Sequence, residues 1–248
     1  MRLLPKGAWG EHGAWAMALT SLGAGLVLAG PPVLASWLML PAVVLLTAAK
    51  GMAQRVRRSG EGFGPCFAFT AAGLLFALPT AAAAPEAFLP VAAVAVPFGA
   101  VYAWNSDSPR FTRSLPVEML GTCLVAAGGP LAVAGARPTA LTDAALAWLA
   151  MGTLFLPGVF RARVRKDPSA ALRTVTAASA CAGIAAWGAL AWGGFMAPWG
   201  LVAATVFLGD LWSVGALPKW GVKTLGIFFS VRYAAAALLM ALAWRTVP

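Results

Sequence analysis

Charge is what this sequence has least of. Only 10% of its 248 residues are Asp, Glu, Lys or Arg, and eight are acidic, whereas a soluble domain carries about 25% charged residues. So few charges cannot cover a chain that is 60% hydrophobic, which excludes a water-soluble globular fold. Histidine occurs once and cysteine three times, at Cys66, Cys123 and Cys181. The cysteines lie far apart inside apolar runs, with no second Cys or His at ligand spacing, so they read as small buried side chains and not as a redox or zinc centre. A Gly-rich phosphate loop, a serine nucleophile elbow, HExxH and paired carboxylates at ligand spacing are all missing. No metal site and no cofactor is expected.

What the sequence does have is long apolar runs. Bounded by charge, Pro or Gly, they fall at about 13–29, 32–49, 64–82, 88–104, 115–135, 141–160, 171–192, 197–214 and 224–244, each about long enough to cross a bilayer. They are continuous rather than alternating, which calls for helices, since a backbone in lipid must satisfy its own hydrogen bonds. The expectation is an all-α membrane protein of nine transmembrane helices, with residues 1–248 forming one polytopic domain. Arg2 and Lys6 before the first run resemble a signal peptide, but Glu11 and His12 abut it and no clean small-x-small cleavage site follows before Pro31, so it reads as a retained helix.

The net charge of +10 does not point to nucleic acid, because the basic residues sit in short clusters between apolar runs, where they orient helices in a bilayer. With the N-terminus in the cytoplasm, 15 Lys and Arg fall on the cytoplasmic side and only Arg137 and Arg245 opposite, leaving Arg232 inside a helix. A weak internal repeat accompanies this layout. At an offset of 105 residues, Tyr102-Ala103-Trp104-Asn105 overlays Phe207-Leu208-Gly209-Asp210, Val117 to Gly121 overlays Val222 to Gly226, and Arg58 overlays Arg163,.

Ionisable residues inside membrane helices are costly and are the default candidates for function. Three stand out: Glu118 near the start of the fifth run, Asp210 in the eighth and Arg232 in the ninth. Asp210 and Arg232 could form a structural ion pair between helices or line a polar pocket. His12, beside Glu11 at the start of the first helix, reads as a helix-terminal or interfacial residue unless a partner positions it for acid–base work. Two basic segments, Lys50 to Arg58 and Arg161 to Asp167, each carry four cations. They serve as anchors at anionic headgroups, or, folded over one cavity, as a receptor for a phosphate or carboxylate. The ligand-binding candidates from these segments are Lys50, Arg55, Arg58, Arg161 and Arg165, with Asn105 and Asp107 at the edge and Lys223 opening the last helix.

Glu11-His12-Gly13-Ala14-Trp15-Ala16-Met17 resembles the YwiC-like family of bacterial membrane proteins. The basic run Arg161 to Arg165, and Lys223 with Gly226, resemble it more softly, and Phe228 and Phe229 stand where that family tends to place an acidic residue. The resemblance implies a multi-pass protein of the bacterial cytoplasmic (inner) membrane. The nine-helix layout is in turn similar to the UbiA prenyltransferase superfamily, whose loops after the second and sixth spans hold a magnesium-bound isoprenyl diphosphate through Asp-rich motifs. The corresponding segments here, Lys50 to Gly62 and Arg161 to Ser169, contain Asp167 as their one aspartate, so Mg2+ has no ligand set, and any enzyme would be a non-standard prenyltransferase-like transferase. Two functions follow. In the first, the protein holds a lipid, isoprenoid or quinone-like ligand in a cytoplasm-facing cavity, with membrane lipids as its other partners. In the second, it is a small-solute transporter or respiratory-chain accessory protein using Asp210, Arg232 and Glu118 as a gated path, with Pro41, Pro97, Pro130 and Pro157 interrupting its spans.

Overall fold

A computed structural model describes residues 12–30, 33–60, 62–164, 169–209 and 222–245. Its described residues are helical nearly throughout, in the order α1 (His12–Ala29), α2 (Leu34–Ser59), α3 (Gly64–Ala83), α4 (Pro85–Trp104), α5 (Pro109–Thr112), α6 (Leu115–Ala126), α7 (Gly128–Ala136), α8 (Leu141–Val164), α9 (Ala170–Trp192), α10 (Pro198–Gly209) and α11 (Val222–Arg245). Among the described residues six segments are long and apolar enough to cross a membrane: Leu34–Arg57, Gly64–Ala83, Pro85–Trp104, Leu115–Ala136, Leu141–Val164 and Ala170–Trp192. The protein is a multi-pass helical membrane protein. Large apolar side chains such as Phe67, Leu75, Leu89 and Val96 stand exposed on α3 and α4, where lipid covers them.

Two helices run past the expected end of their spans. Beyond Ala49, α2 continues for ten residues through Met52, Ala53, Gln54 and Arg55, all good helix formers, and stops at Gly60, whose φ of 71° closes the helix with a left-handed cap,. Likewise α8 reaches Val164 and takes Arg161 and Arg163 into its last turn. The basic segments expected as loops are therefore, in their described parts, helix ends that hold their cations in fixed register. Their low hydropathy had suggested loops, but charge does not stop a helix.

Contacts between helix ends sort the described residues into two ends of the bundle. At one, Ser106 at the end of α4 donates to Ala53 O on α2 (3.1 Å). At the other, Thr80 Oγ1 on α3 donates to Ala35 O on α2 (2.8 Å), and Arg137 after α7 donates to Leu28 O on α1 (2.9 Å). The centre is α7, buried from Gly128 to Gly135, with α1, α2, α3 and α8 packed on it. α1 packs against α11 as well.

The fifth apolar run, expected as one helix, is broken between α6 and α7. Among the described residues five prolines lie inside unbroken helices, Pro41, Pro79, Pro90, Pro97 and Pro157, so of the expected interruptions only that near Pro130 divides its span. The reason lies in the sequence Gly128-Gly129-Pro130, two poor helix formers followed by a residue without an N–H. Pro130 cannot donate to Ala126 O. Ser21 of α1 supplies the missing bond, its hydroxyl donating to Ala126 O (2.6 Å) while accepting from Gly129 N (3.1 Å). Trp148 Nε1 of α8 donates to Cys123 O (2.8 Å). Side chains of two neighbouring helices thus satisfy backbone groups that lipid could not. Ser21→Ala strands a buried carbonyl and a buried N–H, and should cost about 1–2 kcal/mol, seen as a thermal midpoint in detergent lowered by about 2–8 °C.

Candidate functional site

Lys50, Gln54 and Arg57 are spaced by four and three residues, so α2 carries them on one face, and that face meets the end of α4. Lys50 Nζ lies 5.0 Å from the centroid of the Tyr102 ring, and Gln54 Nε2 donates to the Tyr102 hydroxyl. The guanidinium of Arg57 donates to Trp104 O through Nε (3.1 Å) and Nη2. It also lies 5.0 Å from the Trp104 ring centroid and 5.9 Å from that of Phe63 at the start of α3. Tyr102 continues an aromatic column with Phe98 (5.8 Å) and Phe111 of α5 (6.4 Å). It is only 4% exposed, while Trp104 is 73% exposed. Two half-buried cations are thus held against ring faces by hydrogen bonds and cation–π attraction, at a helix end where apolar surroundings give way to charge. This arrangement suits an anionic group attached to an apolar body.

The sequence pointed to Lys50 in this cluster but missed Gln54, Arg57, Tyr102 and Trp104. The signal that could have found them is the spacing of three polar residues on one helix face, opposite one of only two tyrosines in the chain. Arg55 is half-buried on the same helix, off that face. Asn105 caps α4, its amide donating to Val101 O (2.9 Å), and Asp107 is exposed in the turn that follows.

Glu118 has a partner that the sequence did not suggest. Its Oε2 accepts from Arg163 Nε at 2.8 Å, and Arg163 Nη2 donates to Arg113 O, joining the start of α6 to the end of α8. Both side chains are about one-third exposed, so the pair contributes no more than about 0.5–1 kcal/mol. Arg161, two residues earlier, is only 2% exposed; it is a buried residue of α8 rather than one on an open loop. One turn before it, the Tyr233 hydroxyl lies against Gly158, and the Tyr233 ring meets Phe155 edge-on at 5.9 Å. Arg232 lies over Phe228 at 5.3 Å. Asp210 and Arg165 lie outside the described residues, so the expected Asp210–Arg232 pair does too, and for His12, Arg58 and Lys223 only the helical backbone position is described. Among the described residues no three His, Cys, Asp or Glu side chains converge as a metal site requires.

The model of the family described as YwiC-like protein matches residues 10–133, which is half of the 248 residues. The chain belongs to the YwiC-like family. No match is found among curated proteins or among solved structures. The matched segment of this YwiC-like protein runs from the Glu11 motif to Val133 in α7, and so contains the whole Lys50–Tyr102–Trp104 cluster, Ser21 and the break between α6 and α7.

Proposed function

We propose that this YwiC-like protein crosses the bacterial cytoplasmic membrane nine times, with its N-terminus inside, and holds an amphipathic ligand of lipid or isoprenoid type with its head group at the basic end. The nine spans are the six long helices together with α1, α10 and α11. The orientation rests on the basic residues: the ends of α2 and α8 carry Lys50, Arg55, Arg57, Arg58, Arg161 and Arg163, and the cytoplasmic side of a bilayer is the side that collects Lys and Arg. The cluster of Lys50, Gln54 and Arg57 against Tyr102 and Trp104 is the observation that carries the ligand reading. On this view the bundle is UbiA-like, with lysine and arginine taking the place of magnesium toward the head group. Mass spectrometry of the purified protein should find one class of lipid, isoprenoid or quinone-like molecule well above bulk lipid, and Lys50→Ala with Arg57→Ala should reduce its retention about tenfold. Finding nothing above bulk lipid would overturn the reading.

A specific feature favours a second reading, transport: the break between α6 and α7 lies in the most buried of the six long spans, and broken helices build the sites of many transporters. Solute uptake by proteoliposomes that disappears in Asp210→Asn would decide for it.

A further inference from the structure

The helix starts repeat. Those of α2 and α3, Leu34 and Gly64, precede those of α8 and α9, Leu141 and Ala170, by 107 and 106 residues, while α10 starts late, after the turn at 193–197. At nearly the same offset, 105 residues, Val117 to Gly121 matches Val222 to Gly226 in sequence. An independent observation agrees with it. The two main neighbours of α1, α7 and α11, both belong to the closing span of their units.

We infer that the chain is a duplicated four-helix unit, α2 to α7 and α8 to α11, flanking α1, and that only the first unit carries a site for an anionic head group. The inference rests on the ligand reading above. It comes from comparing equivalent positions. Lys50, Gln54 and Tyr102 correspond to Phe155, Val159 and Phe207, and Arg57 and Trp104 correspond to Ala162 and Gly209. Every member of the polar and cationic cluster has an apolar counterpart. Phe155 is fully buried among Leu154, Met151, Trp187 and Met240, and so serves as plain core. The second unit is an internal control: at the equivalent positions its sequence has none of these groups. The scaffold therefore does not need Lys50, Gln54 or Tyr102, and holding a cation inside an apolar bundle has a cost that packing alone does not offset. What the first unit gains is a place for negative charge next to rings, suited to a phosphate on an apolar tail.

The test is to give the first unit the residues of the second. The triple variant Lys50→Phe, Gln54→Val, Tyr102→Phe and the unaltered protein, both solubilised at full length, would be titrated with dihexanoyl phosphatidic acid and followed by native mass spectrometry, with dihexanoyl phosphatidylcholine and inorganic phosphate as separate arms. The expected result is one equivalent of phosphatidic acid per unaltered chain, weaker binding in the other two arms, and binding at least about tenfold weaker in the triple variant, which still elutes as a monodisperse protein. If the triple variant does not fold, Lys50→Gln with Tyr102→Phe, nearly the same in shape, replaces it and should show the same loss. Two equivalents per chain, or a variant that binds as the unaltered protein does, overturns the single site and leaves the ligand reading standing. Inorganic phosphate binding as tightly as the lipid overturns the apolar-tail part. An unaltered protein that binds none of the three overturns the ligand reading and this inference with it.

Discussion

Gly129→Val should prevent the protein from folding. A Cβ at position 129 points into the backbone carbonyl of Ser21 and also meets its Oγ at 3.0 Å, and a Cβ on Gly25 would collide in turn with the backbone of Gly129. The two main chains are in direct contact, each glycine filling the space that the other lacks. Neither can retreat, because Gly129 N is bonded to Ser21 and α7 is enclosed on all sides. A valine there therefore adds overpacking against backbone to the loss of the hydroxyl bridge, about 4 kcal/mol or more. The measurement is the size-exclusion profile of detergent-solubilised protein, in which Gly129→Val should lose its monodisperse peak. Gly23→Ala is the matched control: a Cβ at that position meets nothing within 4 Å, and its profile should be unchanged.

The second large effect is expected at Trp187. Its indole is fully buried, packed among Met151, Leu154, Phe155 and Met240, with Nε1 donating to Thr153 Oγ1 at 3.2 Å. Truncation to Ala leaves a cavity between α8, α9 and α11, while the Thr153 hydroxyl keeps its bond to Ala150 O (2.9 Å). Such substitutions cost about 3–5 kcal/mol, which for a chain of this size lowers the thermal midpoint by about 6–20 °C. Trp187→Phe keeps most of the packing and should lose only a few degrees; an equal loss in both variants would show that the hydrogen bond, and not the volume, governs this site. Trp192, five residues on and 95% exposed, should tolerate Ala with little change.

The helices were legible in the sequence because lipid imposes a strict rule: a continuous apolar run bounded by Pro, Gly or charge has to be a helix. Each described helix longer than α5 overlaps one of the nine expected runs, and six described segments are long and apolar enough to span. Where those helices end was less legible. Hydropathy falls at Lys50 and at Arg161, yet Met52, Ala53, Gln54 and Arg55 favour helix as strongly as the apolar residues before them, and only Gly60 marks the true stop. The break at Ala127 was hidden because Pro130 looks like the other intramembrane prolines; what distinguishes it is the Gly128-Gly129 pair before it and Ser21, more than a hundred residues earlier. The site was half legible for the same reason. Lys50 could be picked out as a cation beside an apolar run, whereas Tyr102 gains its meaning only from Lys50 and Gln54 across a helix pair, and Glu118 from Arg163, 45 residues away. Partners that the fold brings together leave no mark in local composition.

The position of α1 also bears on how the protein is made. Its two main neighbours, α7 and α11, come from the middle and the far end of the described chain. At ribosomal speeds of about 5–20 residues per second, α11 is synthesised on the order of ten to forty seconds after α1. During that interval α1 waits in the bilayer without this neighbour, tolerable for a helix whose backbone bonds are already internal and whose uncovered surface meets acyl chains. Its early partner, reached through Ser21, is the broken span, and its contact with α11 can form only once that later helix has been made. A ribosome that stalls before Val222 therefore releases a protein whose first helix lacks one of its two main neighbours.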